Sequence, residues 1–369
     1  MGTPGRMHAW WPRVALRSMT QHAKVLVTGG TGFVGSHAVA ALAGAGHHVR
    51  LLVRRPDQVE LSLRPLGVEV SDVVVGDVLD ERVVAQAVEG CDALVHAAAV
   101  FSLDARRAEE MLRTNMHATQ LVLGRAVERG VGVAVHVSST VALTRYGGGG
   151  PDLPLGDVTA PYTQSKIASE VVARQMQEAG APVVTIYPGA VYGPHDPYRG
   201  EQGERLRWIL RGRFPFWPRE GQHVVDARDV AAVIAAVLGR REQPGRYVVP
   251  GHHVGGYEMF ATVAEVTGRR LPHLVLPAAA LSPTGLLIDA VHRLLPSRWR
   301  YPADREGIEL IRRDTRFDDS AARTELGVQP MSFRQSIADT VRWMVESGRV
   351  PARQAPRLRP RPTAAGSLP

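Results

Sequence analysis

A tyrosine and a lysine stand four residues apart in the segment APYTQSKIASE, at Tyr162 and Lys166. The chain has 44 basic residues, and only Lys24 and Lys166 are lysines. Pro161 suits the first turn of a helix, so the two side chains would share one helix face. Because a nearby ammonium favours a tyrosinate, we expect Lys166 to lower the pKa of Tyr162 toward neutrality. The phenol could then exchange a proton with a substrate.

Polar side chains in two other segments could complete a reaction centre. VHVSST ends a predicted strand with Ser138, Ser139 and Thr140. A hydroxyl there can reach the catalytic edge of a parallel sheet and bind a substrate carbonyl oxygen. RTNMHATQ places Asn115 inside a predicted helix, where an amide is a poor helix former, and we expect it to hold a proton-relay water. Tyr-x-x-x-Lys alone is also an ordinary helix pair, so the catalytic interpretation depends on these neighbours.

The segment VLVTGGTGFVGSHAVAAL has the pattern of a dinucleotide-binding loop. Gly29, Gly32 and Gly35 follow a predicted strand and open a predicted helix at G-x-x-G-x-x-G spacing. Glycines permit a tight turn and a close approach of backbone N–H groups to a pyrophosphate, and the helix N-terminus favours an anion. The alternative is a purely structural turn.

The end of the second predicted strand bears on which cofactor is bound. An NAD site usually has an acidic residue there, whereas LLVRRPD offers Arg54 and Arg55 for a 2′-phosphate. We predict a preference for NADP(H), with NAD(H) still possible and solvated arginines as the alternative. Asp77, at the end of the third strand, is placed to accept a hydrogen bond from the adenine amino group.

These motifs resemble those of an extended short-chain dehydrogenase/reductase of the NAD-dependent epimerase/dehydratase superfamily. The likeness is closest to the dihydroflavonol-4-reductase-like group and covers about residues 22–348. The matching segments are TGGTGFVG, GDVLD, HAAAV, NMHAT, VSST, YTQSK, YPGAVYGP, VVDARDVA and FDDSAARTELGV. Ala118 stands where the family usually has a glycine.

The resemblance implies a role for individual residues. Tyr162 would exchange the proton, Lys166 would lower the tyrosine pKa and bind the ribose, and Ser139 would be the catalytic hydroxyl. Asn115 matches the family's helix asparagine. The cofactor-binding residues would be Thr28, Gly29, Thr31, Gly32, Phe33, Val34, Gly35, Arg54, Arg55, Asp77, Val78, Ala97, Ala98, Ala99, Lys166, Pro188 and Val191.

Three functions are compatible with these residues. The first is an NADP-dependent oxidoreductase that moves a hydride between nicotinamide and a carbonyl or secondary alcohol. We expect it to use no metal, and we expect Phe101, Thr140 and Tyr192 to lie near its small-molecule substrate. The second is a nucleotide-sugar epimerase or dehydratase with tightly bound NAD(P). It is disfavoured because no acidic residue follows the serine pair, although arginines between 199 and 213 could bind its substrate. The third is a non-catalytic sensor, which is disfavoured because the tyrosine and lysine are both present.

The elements that must position these residues alternate along the first half of the chain. Short β-rich runs begin near residues 24, 47, 68, 92, 131 and 182, and helical segments cover about 32–45, 105–129 and 161–180. This rhythm predicts an α/β fold, a Rossmann-type doubly wound parallel sheet with a smaller C-terminal substrate-binding region.

The same patterns suggest boundaries along the chain. We expect a flexible N-terminal extension over 1–19, with Met1 or Met19 as the true start. An NAD(P)-binding Rossmann domain would cover 20–190, and a mainly substrate-binding region, interleaved with it, 191–349. The Pro- and Arg-rich residues 350–369 would form a disordered tail.

The composition narrows the class of partner. The net charge is +8 and the pI about 10.1, but much of this charge lies in the tails, so we expect no nucleic-acid partner. A single cysteine excludes a disulfide within the chain. No run reaches the roughly 18–20 apolar residues of a membrane span, which leaves surface association open. We predict a cytoplasmic protein, and the resemblance implies a homodimer.

Overall fold

The computed structural model describes residues 22–100, 108–149, 153–240, 245–294, 301 and 303–358. The strands are β1 (Lys24–Thr28), β2 (His48–Val53), β3 (Asp72–Val75), β4 (Ala93–His96), β5 (Val133–Val137), β6 (Val183–Tyr187), β7 (Ala190–Tyr192), β8 (Phe216–Pro218), β9 (Gln222–Asp226), β10 (Arg246–Val248), β11 (His252–Val254) and β12 (Leu274–Leu276). The helices are α1 (Phe33–Gly44), α2 (Asp57–Leu63), α3 (Glu81–Val88), α4 (Ala108–Glu128), α5 (Pro161–Glu178), α6 (Glu201–Leu210), α7 (Ala227–Leu238), α8 (Gly256–Thr267), α9 (Ala278–Leu294), α10 (Arg305–Arg312), α11 (Ser320–Glu325) and α12 (Phe333–Glu346).

A seven-stranded parallel sheet with the order β10-β6-β5-β4-β1-β2-β3 forms the centre of the fold. The chain crosses from β3 to the far side of β1 to form β4, and this reversal creates a crevice outside the carboxyl ends of the strands. The central strands are mostly apolar, as in VVTIY of β6, where all five residues are buried, because helices cover both faces of the sheet. The predicted Rossmann-type α/β fold is confirmed.

Two apolar clusters hold the helices to this sheet. Residues of α1 and α7, such as Leu42 and Ile234, pack with Val27 of β1 on one face. Residues of α3, α4 and α5, such as Val122 and Ala173, pack with Leu94 of β4 on the other. The two helices α4 and α5 that carry predicted site residues therefore lie on the same face of the sheet.

A smaller region with its own core lies beyond β6. It contains a three-stranded sheet of order β11-β9-β7 and a two-stranded sheet of β12 and β8. Its core includes Trp217, Phe260 and Ile337, from β8, α8 and α12. The chain returns to the main sheet at β10 and α7, so the two regions are interleaved. The predicted boundary near residue 190 stays a prediction.

Several elements differ from the sequence-based expectations. Helices α2 and α3 lie where only connections were expected. The sequence also suggests one continuous helix for VVDARDVAAVIAAVLGR, but its first residues end strand β9 at Asp226. The Asp226 carboxylate then caps α7 by accepting a hydrogen bond from the Arg228 N–H at 2.9 Å. Local apolar content does not separate such a strand from the helix that follows it.

The terminal segments are described only in part. Residues 1–19 of the predicted extension and 359–369 of the predicted tail lie outside the described residues. Residues 350–358, predicted to be disordered, instead form two short 3-10 turns in which Val350 and Ala355 are buried. Within the described part of the chain, no helix is both long and apolar enough to cross a membrane.

Candidate active site

A cavity of about 270 Å³ opens outside the carboxyl ends of β5 and β6. Ser139 and Thr140, which follow β5, line it together with Val191 after β6 and Tyr162 in the first turn of α5. The serine and tyrosine predicted for catalysis therefore reach one cavity from two different elements. The opposite wall is formed by α6, α10 and β9, which belong to the smaller region.

Hydrogen bonds between two loops fix the position of Ser139. Its hydroxyl donates to the Pro188 carbonyl at 3.4 Å and accepts from the Val141 N–H at 3.3 Å. The Thr140 N–H donates to the same Pro188 carbonyl at 2.9 Å. Pro188, predicted near the nicotinamide, thus ties the loop after β6 to the loop after β5. The neighbouring Ser138 hydroxyl is buried and has no hydrogen-bond partner among the described residues.

The pKa of Tyr162 is raised above its usual value, not lowered as the sequence predicted. Burial is the main cause, and the carboxylates of Glu201 and Glu306 add to it. Both effects disfavour a negative phenolate. The Tyr162 phenol is therefore neutral in this structure. The prediction counted the lysine of its own helix and had no means to count two acidic residues from α6 and α10.

Lys166 lies one turn after Tyr162 in α5, and burial lowers its pKa to about 8, with Glu170 acting in the opposite direction. Two buried histidines at the ends of β4 and β5 lie near this ammonium. Burial lowers the pKa of His96 to about 3 and that of His136 well below its usual value, and Lys166 contributes to both shifts. The two rings stack with centroids 6.0 Å apart. Lys166 thus lies near two buried, neutral imidazoles. The sequence analysis did not single out either histidine.

Asn115 joins three segments near the site. Its Oδ1 accepts from the Val100 N–H at 2.7 Å, and its Nδ2 donates to the Val100 carbonyl at 2.9 Å and to the Ser165 hydroxyl at 3.3 Å. The side chain therefore fixes the loop after β4 against α5. A proton-relay water on this amide stays a prediction. Asn115 is not one of the described residues that line the cavity.

The glycine loop is shaped as a dinucleotide cradle. Gly29 has φ +74°, and a Cβ there would lie 2.6 Å from the Ala98 nitrogen, while one on Gly35 would collide with the Gly29 carbonyl. Side chains would therefore prevent the close approach of the loops after β1 and β4. No side chain caps α1 at Gly32, so the first N–H groups of α1 suit a phosphate. These features fit a bound dinucleotide.

Other predicted cofactor residues border the same edge of the sheet. Arg54 and Arg55 follow β2 and are exposed. Asp77 follows β3, and its carboxylate accepts from the Leu79 N–H at 2.9 Å, with Val78 half-buried between them. The remaining predicted residues lie at the end of β1 or in the segments that follow β1, β4 and β6: Thr28, Thr31, Phe33, Val34, Ala97, Ala98, Ala99, Pro188 and Val191. The fold thus brings the predicted set to one edge, while each contact with a cofactor stays a prediction.

The wall opposite Ser139 carries more negative than positive groups. Glu201, Asp304 and Glu306 line it together with Arg205. The Arg205 guanidinium is buried, is paired with Glu201 and lies 5.6 Å from the centre of the Trp217 ring. Burial raises the pKa of Asp304 to about 7, with Glu201 as the next cause. The sequence analysis could not predict that α6 and α10 form this wall together, because about a hundred residues separate them in the chain.

The predicted substrate-binding residues have different positions. Thr140 lines the cavity. Tyr192 is buried in the core of the smaller region, and its hydroxyl donates to Gln202, which does line the cavity, at 3.3 Å. Phe101 lies outside the described residues. Phe214 and Trp217 are buried and border a narrow apolar recess beside the cavity.

Comparisons with known proteins show which sequences and structures this chain is similar to. The sequence profile of the NAD dependent epimerase/dehydratase family matches residues 25–249. A protein of Synechocystis sp. provisionally named dihydroflavonol 4-reductase is 31% identical over 88% of this chain and 95% of its own length. The sterol demethylase protein B of Methylococcus capsulatus is 30% identical over 88% of this chain and 99% of its own. Among solved structures, that of gox2253 has a TM-score of 0.73 and 28% identity, and covers 89% of this chain and all of the other.

Proposed function

The chain belongs to the NAD-dependent epimerase/dehydratase family, and from this we propose that it is an NADP(H)-dependent oxidoreductase. It would interconvert a carbonyl and a secondary alcohol on a small organic substrate. The observation that carries this proposal is that the Ser139 and Tyr162 side chains line one cavity. This cavity lies at the carboxyl ends of the parallel strands, the edge of the sheet where the glycine loop also lies.

The residues of the chain supply the acid–base half of such a reaction. In the direction of reduction, the Ser139 and Tyr162 hydroxyls donate hydrogen bonds to the substrate carbonyl oxygen, and Tyr162 then transfers its proton to it. The raised pKa of Tyr162 keeps that proton available at neutral pH. The Lys166 ammonium, one turn away, stabilises the tyrosinate that remains. The bound cofactor supplies or accepts the hydride.

The proposed preference for NADP(H) rests on the residues that follow β2. Two exposed arginines, Arg54 and Arg55, follow β2, where an acidic residue would suit the ribose hydroxyls of NAD. Their guanidinium groups match a 2′-phosphate. Dissociation constants for NADP and NAD, measured on the same preparation, test this preference, and tighter binding of NAD contradicts it.

The charge of the cavity favours a neutral substrate over a nucleotide sugar. The pyrophosphate of a sugar nucleotide would face Glu201, Asp304 and Glu306, and the buried Arg205 is already paired with Glu201. Of the arginines considered for this role, Arg207 is also paired, with Glu204. The apolar recess beside the cavity suits a ring or hydrocarbon part of a substrate. We therefore favour a neutral ketone or alcohol, and keep sugar nucleotides as the alternative.

A substrate panel tests the proposal. Purified protein is incubated with NADPH and neutral ketones or aldehydes, with NADP and secondary alcohols, and separately with sugar nucleotides. Steady oxidation or reduction of nicotinamide, read by absorbance, is the expected result. Tyr162→Phe should lose most of this turnover, and Tyr257→Phe, at an exposed position in α8, should keep it. Interconversion of sugar nucleotides without net cofactor turnover would establish the epimerase alternative.

We also propose that the protein is a cytoplasmic homodimer, as the family resemblance implies. Helices α4 and α5, which pack against each other, would form the interface. Light scattering coupled to size-exclusion chromatography measures the mass in solution. A mass near that of one 40.0 kDa chain contradicts the dimer.

A further inference from the structure

The start of the catalytic helix α5 is held by a residue from the smaller region. The first turn of a helix leaves N–H groups without intrahelical partners. The residue before the helix is Ala160, whose side chain cannot cap it, and Pro161 has no N–H group. The Gln164 N–H donates to the Ala160 carbonyl at 2.9 Å. Two N–H groups of this turn, those of Tyr162 and Thr163, therefore need another acceptor.

The Glu306 carboxylate, in the first turn of α10, accepts from both groups. Its Oε2 lies 3.3 Å from the Tyr162 nitrogen, and its Oε1 lies 2.7 Å from the Thr163 nitrogen. The Thr163 hydroxyl donates to Oε1 as well, at 2.7 Å. A negative group at a helix N-terminus is also favoured by the helix dipole. Glu306 is thus the N-terminal cap of a helix that begins 145 residues before it.

The same carboxylate lines the cavity that Tyr162 lines. We propose that Glu306 is a positioning residue, which fixes the start of α5 and places a negative charge at the cavity that the Tyr162 side chain lines. This inference rests on the proposed function for its catalytic meaning. Its contact with α5 also couples the catalytic tyrosine to the region that would contact the substrate, since a shift of α10 would move the cap.

Other charged groups share this environment. They are Lys166 on α5, Glu201 and Arg205 on α6, and Asp304 before α10, with the neutral His136 on β5 behind Lys166. Glu201 is paired with Arg205, whereas Glu306 bonds only uncharged donors among the described contacts. Glu201 contributes more than Glu306 to the raised pKa of Tyr162, but removing its charge would also take the partner from the buried Arg205. Glu306 is therefore the residue whose charge can be removed with less disturbance of its neighbours.

Four variants separate the effect of the charge from that of the cap. Glu306→Gln removes the charge and keeps an acceptor oxygen for the Thr163 N–H. Thr163→Val removes the hydroxyl bond to the carboxylate and keeps the charge. Glu309→Gln removes a charge from the same helix that pairs with Arg312 and Arg313 instead. Glu306→Asp keeps the charge but moves it away from the start of α5 by the length of one methylene group. It provides the test if Glu306→Gln does not fold.

The readout is the ionisation of residue 162 itself, which needs no turnover. Difluorotyrosine, whose phenol is more acidic than that of tyrosine, is placed at position 162 and titrated by ¹⁹F NMR in each background. In Glu306→Gln, the midpoint should fall by about one pH unit, and in Glu306→Asp it should fall less. In Thr163→Val and Glu309→Gln it should stay unchanged, although Thr163→Val should lower the melting temperature.

An unchanged midpoint in Glu306→Gln overturns the inference and leaves Glu306 a structural cap. A midpoint that falls equally in Thr163→Val also overturns it, because the change would then follow from a loosened helix. Failure of the proposed function has a different signature: the unmodified protein shows no carbonyl turnover with NADPH, while the ¹⁹F titrations still report on Glu306.

Discussion

Lys166 is the residue whose ionisation should limit the reaction at high pH. Its pKa is lowered to about 8 by burial, whereas that of Tyr162 is raised. As pH rises through 8, the ammonium loses its proton, the tyrosinate formed in reduction loses its stabilising charge, and kcat/KM should fall. A profile of kcat/KM against pH, which reports groups of the free enzyme, should show this alkaline limb near pH 8.

Lys166→Arg provides the comparison. A guanidinium stays charged through this range, so the limb should move to higher pH while turnover drops, because the planar group fits the ribose poorly. An alkaline limb that stays in place in Lys166→Arg would assign it to another group.

Arg54 and Arg55 carry the prediction of cofactor choice. Because both arginines are exposed, solvent weakens their charge-assisted hydrogen bonds to a 2′-phosphate, and we expect about 1.4–2.8 kcal/mol from the two together. The double variant Arg54→Gln/Arg55→Gln should therefore weaken NADP binding by about 10–100-fold. NAD binding should change little. Arg64→Gln is the matched control, since Arg64 follows α2, is exposed and pairs with Glu60. Equal losses for NADP and NAD would show that the arginines do not recognise the phosphate.

Helix α5 carries a buried carboxylate of its own, Glu170, one turn beyond Lys166. Glu170 is fully buried, and its Oε1 accepts from the Tyr187 hydroxyl at 2.6 Å and from the Arg174 Nε at 2.8 Å. Arg174 in turn donates to the Leu153 carbonyl at 2.6 Å. This network ties the catalytic helix to β6 and to the loop before α5.

Glu170→Ala should therefore be strongly destabilising. It leaves a half-buried arginine and a buried phenol without their acceptor, which typically costs about 3–5 kcal/mol. Glu170→Gln should cost less, because its amide oxygen still accepts. Urea unfolding measures the difference, and Glu178→Gln, at an exposed position of the same helix, should be neutral. A small loss in Glu170→Ala would mean that solvent replaces the carboxylate.

The elements show how far sequence reasoning reaches. The parallel strands, the glycine loop and the Tyr162–Lys166 pair were predictable because each depends on residues close together in the chain. The environment of Tyr162 was not, since Glu306 and Glu201 reach it from other helices and reverse the expected direction of its pKa shift. Asn115 could be singled out as an unusual helix residue, but its bonds to Val100 and Ser165 depend on tertiary packing.

At the scale of the whole molecule, the last described residues bind the smaller region together. Arg349 donates to the Asp196 carbonyl at 2.9 Å and lies 4.3 Å from the centre of the Trp343 ring. Farther on, Arg357 donates to the Glu265 carbonyl at 2.8 Å. Val350 and Ala355 are buried in the same core. This segment therefore crosses from α12 to α8 and completes the core that supports the cavity wall.

Two truncations test this reading of the C-terminus. Ending the chain at Leu358 removes only residues that composition predicts to be disordered, so the melting temperature should not change. Ending it at Gly348 removes the buried Val350 and Ala355, with the bonds of Arg349 and Arg357, and should cost at least about 2–3 kcal/mol. Because that core backs the cavity wall, KM should rise more than kcat falls. Equal stability of the two truncated chains, measured by thermal unfolding, would show that residues 349–358 only rest on the surface.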